Sequence, residues 1–123
     1  MSDLITADLV DLDLPTGDRR EVVRSLAERL VKAGRVTDLE QFLADIEARE
    51  AQMPTGLDGG IGIPHCRSAA VTEPTLGFGR STAGVDFGAE DGNPADLVFL
   101  IAAPEGGGSD HMTVLAEIGR AHV

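Results

Sequence analysis

The sequence predicts a layered α/β domain with a mixed sheet. Three observations support this, the first being the order of its periodic segments: a strand, two helices, several strands and a helix. The second is the length of 123 residues, which suits one small domain with its own core. The third is composition: 42% of the residues are apolar but none is Trp or Tyr, so aliphatic side chains and four Phe must fill the core.

Residues 9–14 begin this order. Their apolar side chains, Val10, Leu12 and Leu14, alternate with aspartates at the period of a strand that buries one face. The segment 15–18, Pro-Thr-Gly-Asp, then ends the strand and offers a cap for a helix.

Two helices are predicted next. The first covers 18–33, because its apolar residues recur at helical spacing and Gly34 suits the position just past its end. The second begins at the capping-box sequence Thr37-Asp-Leu-Glu40 and should end near Arg49 or Glu50. The apolar faces are Val22, Val23, Leu26, Leu30 and Val31 in the first helix, and Leu39, Phe42, Leu43 and Ile46 in the second.

The second half of the chain predicts strands followed by a helix. The segment 55–62 contains four glycines, and apolar residues then lead directly to His65. Ser109 or Asp110 can cap a helix that begins at His111. Strands are predicted at 75–81, 84–87 and 97–103, with a turn at 88–94 and a loop at 104–108.

Composition and charge exclude several classes of protein. The net charge of −11 has the wrong sign for binding nucleic acid. The single cysteine, Cys66, excludes an intrachain disulfide framework and a multi-cysteine zinc site. No apolar run approaches the roughly 18 residues of a membrane span, and the N-terminus lacks the regions of a signal peptide. We therefore expect a cytoplasmic domain.

Three separated elements carry matching chemistry. They are Arg49 near the end of the second helix, the glycine-rich segment leading to His65, and Asp110-His111 at the start of the last helix. Imidazole is nucleophilic at neutral pH and can attack phosphorus to form a phosphoramidate that transfers its phosphoryl group onward. A guanidinium, glycine-loop N–H groups and a helix N-terminus would supply the donors that a phosphoryl group needs.

Each element also has a plainer interpretation. The histidine could end a strand with its ring hydrogen-bonded, Arg49 could be a solvated surface residue, and His111 could belong to a helix cap. The glycines could serve only a tight turn. Metal binding is poorly supported, because no His-x-x-His or carboxylate–histidine spacing is present. Cys66 follows His65 in an extended segment, so we expect it on the opposite face, packed rather than reactive.

Two motifs carry a resemblance to a known family. One is Arg49-Glu-Ala-Gln-Met-Pro-Thr-Gly-Leu-Asp-Gly-Gly-Ile-Gly-Ile-Pro-His65, and the other is Asp110-His-Met-Thr-Val-Leu115. They resemble the IIA domain of the fructose/mannitol family (EIIA type 2) of the bacterial phosphoenolpyruvate-dependent sugar phosphotransferase system (PTS). That family shows an Arg-Glu pair, a Pro-Thr-Gly turn and Gly-x-(Ala/Gly)-(Ile/Val)-Pro-His at about this spacing, with Asp/Glu-His-Leu-x-x-Leu further on.

The resemblance covers 1–117, which we interpret as one EIIA type-2 domain that is incomplete at its C-terminus. Residues 118–123 match one reading frame of a widely used sequencing adapter, so we interpret them as a non-native tail. An incomplete domain would leave part of its sheet uncovered and would be only marginally stable.

The resemblance implies a three-layer α/β/α sandwich with a mixed sheet and a phosphotransferase that uses no cofactor and no metal. His65 would accept a phosphoryl group from the phosphocarrier protein HPr and pass it to a cysteine of a IIB domain for the uptake of a sugar, with fructose favoured. Arg49 and His111 would flank the phosphoryl group. The IIB domain would be separate, or fused to this chain with a membrane IIC domain that tethers it to the inner face of the membrane.

Two other functions stay open at this point. A regulatory IIA-like domain would use the same histidine chemistry to control other proteins and would transport no sugar. A non-enzymatic α/β binding module would carry the histidine incidentally.

Overall fold

The computed structural model describes residues 3–106, which form a mixed sheet with two helices packed on one face. This is an open α/β fold, and it confirms the predicted class. The described residues supply the sheet and one helical layer of the predicted sandwich. The helix expected to begin at His111 and the segment 118–123 lie outside the described residues. Neither helix in the described range is long and apolar enough to cross a membrane.

The sheet of the described residues has six strands. They are β1 Val10–Asp11, β2 Gly56–Leu57, β3 Ile61–Gly62, β4 His65–Ser68, β5 Thr75–Val85 and β6 Ala95–Pro104. Their order is β1-β5-β6-β3-β2, with β4 also paired to β6. The long strands β5 and β6 are antiparallel, whereas β1 runs parallel to β5, and both β3 and β4 run parallel to β6. Strand β2 is antiparallel to β3.

Helix α1, Arg19–Lys32, matches the predicted first helix. Asp18 caps it, because its carboxylate accepts a hydrogen bond from the backbone N–H of Glu21 at 2.9 Å. Gly34 follows the helix with a φ of +78°, a conformation that favours glycine. Val31, which the helical spacing predicts on the apolar face, is 37% exposed instead. The buried residues of α1 are Val22, Val23, Leu26, Ala27 and Leu30.

Helix α2, Leu39–Gln52, carries Arg49 in its last turn and extends slightly beyond the predicted end. The predicted capping box does not form, because the Thr37 N–H from which Glu40 would accept donates to the Ala70 carbonyl at 2.8 Å. Asp38 is the cap, accepting from the N–H of Gln41 at 3.1 Å, whereas the Thr37 hydroxyl donates to the Ala70 carbonyl at 3.2 Å. The threonine is thus used to tie the helix start to the loop after β4.

The first strand is much shorter than predicted. Only Val10 and Asp11 pair with β5, after a short 3-10 helix. The N–H of Asp13 donates to the Asp11 carboxylate at 3.0 Å and bends the chain. As a result Leu12 is 53% exposed, although Leu14 returns to the core.

The predicted strands 75–81 and 84–87 are one strand, β5, with an irregularity between Arg80 and Val85. Gly84 has a φ of +81°, and its N–H donates to the Ser81 hydroxyl at 3.1 Å. A glycine in the left-handed conformation lets a strand continue past a bulge, which explains why Gly84 does not end β5.

Candidate functional site

The residue pair Ile63-Pro64 separates two short strands that lie against the same neighbour. Gly62 of β3 pairs with Val98 of β6, and His65 of β4 pairs with Ile101, so the register continues across the gap. Proline has no N–H to give to the ladder, but the Pro64 carbonyl accepts from the N–H of Ile101 at 3.0 Å. His65 is therefore the first residue of a strand held in a fixed register.

The residues of β4 alternate between the two faces of the sheet. Cys66 belongs to the core that the helices cover, and the Ser68 hydroxyl donates to the Asp45 carboxylate of α2 at 2.6 Å. His65 and Arg67 consequently share the other face. The expectation that Cys66 is packed is confirmed, since burial and, to a smaller extent, the negative charge of Asp45 raise the pKa of its thiol to about 12.

The imidazole of His65 is largely buried and has a defined orientation. Its Nδ1 lies 2.8 Å from the carbonyl oxygen of Ile63. Because a carbonyl can only accept, Nδ1 carries the proton, and Nε2 carries the lone pair of the neutral ring. Burial lowers the pKa of His65 below its ordinary value, against the raising effects of the Ile63 hydrogen bond and the negative charge of Glu50. The ring is thus favoured in its neutral form at neutral pH.

Arg49 lies within electrostatic reach of this ring. Its positive charge contributes to lowering the pKa of His65. The residue is half-buried, and its Nη1 donates to the carbonyl of Met53 at 3.2 Å, just past the end of α2. This bond uses one of the five N–H donors of the guanidinium.

Two residues of the site were not predicted, Glu50 and Thr55. Both are buried, and the two oxygens of the Glu50 carboxylate accept from the N–H of Thr55 at 2.8 Å and from its hydroxyl at 2.7 Å. The sequence did hold a signal: Phe42, Ile46 and Glu50 are spaced four apart, so the helical period puts a carboxylate on the buried face.

The glycine loop serves as a turn, the plainer of its two interpretations. Gly59 and Gly60 both have positive φ, and the N–H of Gly59 donates to the Asp91 carboxylate at 3.0 Å. A carboxylate beside this N–H disfavours a bound phosphoryl group. Gly62 is needed for a different reason, because a Cβ there would lie 2.5 Å from the ring of Phe87.

The third predicted site residue, His111, lies outside the described residues, and its position relative to His65 stays a prediction. Within residues 3–106, no three His, Cys, Asp or Glu side chains gather in a way that could hold a metal ion.

Comparison with known proteins identifies the same family that the sequence motifs resemble. Residues 3–121 match the family model described as the phosphoenolpyruvate-dependent sugar phosphotransferase system, EIIA 2. A fructose-specific EIIA component of the PTS from Haloferax volcanii is 38% identical over 121 residues, covering 98% of this chain and 79% of that protein. A fructose-specific EIIABC component from Bacillus subtilis is 37% identical over 118 residues, covering 96% of this chain but only 19% of the longer protein.

Solved structures with this fold include both regulatory and sugar-specific IIA proteins. The nitrogen regulatory protein IIA-Ntr from Neisseria meningitidis superposes with a TM-score of 0.83 at 29% identity, covering 93% of this chain and 77% of that one. The complex of enzyme IIA-Mtl with phosphorylated enzyme IIB-Mtl from Escherichia coli gives a TM-score of 0.79 at 28% identity, covering 96% and 82%.

Proposed function

The chain belongs to the EIIA 2 family of the phosphoenolpyruvate-dependent sugar phosphotransferase system, and on this premise we propose that His65 accepts a phosphoryl group from phospho-HPr and passes it to a cysteine of a IIB domain. The observation that carries the proposal is the hydrogen bond between Nδ1 of His65 and the Ile63 carbonyl. It leaves the lone pair of the neutral ring on Nε2, the nitrogen that we assign as the nucleophile.

The proposed transfer consists of two displacements at phosphorus. In the first, the Nε2 lone pair forms a bond to phosphorus while the bond between phosphorus and the donor breaks and its electrons return to the donor. Nδ1 keeps its proton, so the phosphorylated ring is cationic, and the Ile63 carbonyl stabilises this charge. A cationic ring leaves readily, which favours the second displacement, by the thiolate of the acceptor cysteine.

Arg49 and His111 are proposed to stabilise the negative charge that spreads over the phosphoryl oxygens during transfer. The electrostatic reach between Arg49 and His65 supports the first assignment. The second rests on the motif Asp110-His111 alone.

The proposed acceptor and location follow from the relatives. A related IIA occurs in complex with a phosphorylated IIB, and another is one part of an EIIABC protein. We therefore place this domain in the cytoplasm, alone or tethered to the membrane through fused IIB and IIC domains, and fructose is the proposed sugar.

A regulatory function is the second candidate, because the chain also superposes on a nitrogen regulatory IIA protein. Such a domain would use the phosphorylation state of His65 as a signal, and its phosphoryl group would not proceed to a sugar-specific IIB domain.

Labelling with radioactive phosphoenolpyruvate, enzyme I and HPr tests the proposal. We expect acid-labile phosphate on His65, no label on His65→Ala, and full label on the neighbouring variant Cys66→Ala. Labelled protein is then mixed with a fructose-type IIB domain. Movement of label to the IIB cysteine supports transport, whereas label that stays on His65 supports regulation; undiminished label on His65→Ala contradicts both.

A further inference from the structure

A buried carboxylate close to the nucleophile needs a reason, because removing a charge from water is costly unless hydrogen bonds compensate for it. Glu50 is only 5% exposed, and its two carboxylate oxygens accept hydrogen bonds from one residue, Thr55. The two residues stand on either side of the end of α2. The carboxylate therefore fixes the position of Thr55 relative to the helix that carries Arg49.

Thr55 transmits this position to the strand region that precedes His65. The Thr55 carbonyl accepts from the N–H of Ile63 at 3.1 Å. The Ile63 carbonyl in turn receives Nδ1–H of His65 at 2.8 Å. An unbroken series of hydrogen bonds thus runs from the Glu50 carboxylate through Thr55 and Ile63 to the imidazole.

We propose that Glu50 and Thr55 are positioning residues for His65: they hold the Ile63 carbonyl in the place where it selects the Nδ1–H tautomer and orients Nε2 toward the incoming phosphoryl group. This inference rests on the proposed function of His65, and it extends the site to a buried pair that acts through the Ile63 carbonyl. A backbone carbonyl suits this role because it does not rotate as a side chain does. This one is held between β3 and β4, which both pair with β6.

The charge of Glu50 gives the pair a second effect. Its negative charge and the Ile63 hydrogen bond both favour a positive ring, in opposition to burial and to Arg49. The cationic phosphorylated ring formed during transfer would gain from both. Position and charge can be separated by substitution, because glutamine keeps the shape of glutamate without its charge. Its oxygen can accept from the Thr55 N–H, and its NH2 group can donate to the Thr55 hydroxyl oxygen.

The experiment measures the tautomer of His65 by nitrogen-15 NMR of the imidazole and, separately, the rate of phosphorylation by phospho-HPr. The disruptive variants are Glu50→Ala and Thr55→Val, and the conservative ones are Glu50→Gln and Thr55→Ser. The matched control is Glu47→Ala. Glu47 lies on the same helix, and its carboxylate pairs with Arg19 of α1 at 2.9 Å. The control removes this ion pair without touching the hydrogen bonds that lead to His65.

In the disruptive variants we expect the ring to shift toward the Nε2–H tautomer and the rate to fall about tenfold or more, as for a misplaced reacting group. The conservative variants should keep the Nδ1–H tautomer and stay within about threefold of the wild-type rate. Glu47→Ala should keep both, whatever its melting temperature.

A folded Glu50→Ala or Thr55→Val protein that retains the Nδ1–H tautomer would overturn the proposal, and so would loss of this tautomer in Glu47→Ala. If Glu50→Ala does not fold, the comparison of Thr55→Val with Thr55→Ser decides the question. If wild-type His65 takes no phosphate, the proposed function fails, while the tautomer measurement still decides whether Glu50 and Thr55 position the ring.

Discussion

The hydroxyl of Ser68 donates to the carboxylate of Asp45 at 2.6 Å and ties the strand that begins with His65 to the middle of α2. The same hydroxyl oxygen accepts from the N–H of Ala70 at 3.1 Å, so a fully buried group serves both the helix and the turn after β4. This attachment and the Glu50–Thr55 bonds hold the site at two points along one helix.

We expect Ser68→Ala to lower the free energy of unfolding by about 1–3 kcal/mol, because it leaves a buried backbone N–H and a carboxylate oxygen without their partner. Urea denaturation of the two proteins measures the difference. Thr82→Ala, at an exposed position of β5, is the control and should change stability by less than about 0.5 kcal/mol. A loss at Ser68 no larger than at Thr82 would show that the attachment is energetically unimportant.

Arg49→Ala should fold normally, because the guanidinium bonds to the Met53 carbonyl in an exposed part of the structure. We expect phosphoryl transfer to slow by about 100-fold, the typical effect of removing one preorganised donor to a transition-state charge. The pKa of His65 should rise in the variant, since the positive charge of Arg49 lowers it in the native protein. Single-turnover kinetics and an NMR titration measure the two effects, and an unchanged transfer rate would remove Arg49 from the site.

The stability of the protein should depend on pH through His65. Burial holds the pKa of His65 in the folded protein below the ordinary 6.5. At pH values between the folded-state pKa and 6.5, the unfolded chain therefore binds more protons than the folded one. The contribution is fully present above pH 6.5 and is lost as the pH falls to the lower folded-state pKa. Denaturation at several pH values should show this loss in the wild type and a smaller one in His65→Gln; equal pH dependence would contradict the assignment.

Cys66 should resist thiol reagents in the native state. With its pKa raised to about 12, the thiolate fraction at pH 8 is on the order of a thousandfold below that of a free cysteine, and burial also blocks access. We expect modification only as fast as the protein opens, measured by the colour of a disulfide reagent with and without denaturant. Rapid native-state labelling would mean that β4 opens easily and that the thiol is available for chemistry.

The helices could be predicted from the sequence because their signals are local. Val22, Leu26 and Leu30 recur at one helical spacing, and Asp18 and Gly34 mark the two ends. The boundary error at α2 has a tertiary cause, since the loop carbonyl of Ala70 engages Thr37 and leaves Asp38 to cap the helix.

The short strands around the site could not be predicted in the same way. The strand His65–Ser68 has no apolar alternation, and it exists because β6, about thirty residues later, supplies the hydrogen bonds. The Arg49–His65 relationship could be predicted only from the motif that joins them. Glu50 was not predicted as part of the site, although its spacing from Phe42 and Ile46 placed it among buried residues.

The continuous register of β3 and β4 on β6 sets a limit on how this chain can vary in length. Side chains alternate along a strand, so adding or removing one residue between Gly62 and His65 would exchange the faces of every residue that follows. The imidazole would then enter the core beneath α2, and the thiol of Cys66 would take its place on the opposite face. The two residues between β3 and β4 therefore determine which face of the sheet carries the imidazole. The length of the chain at this point matters as much as the identity of the histidine.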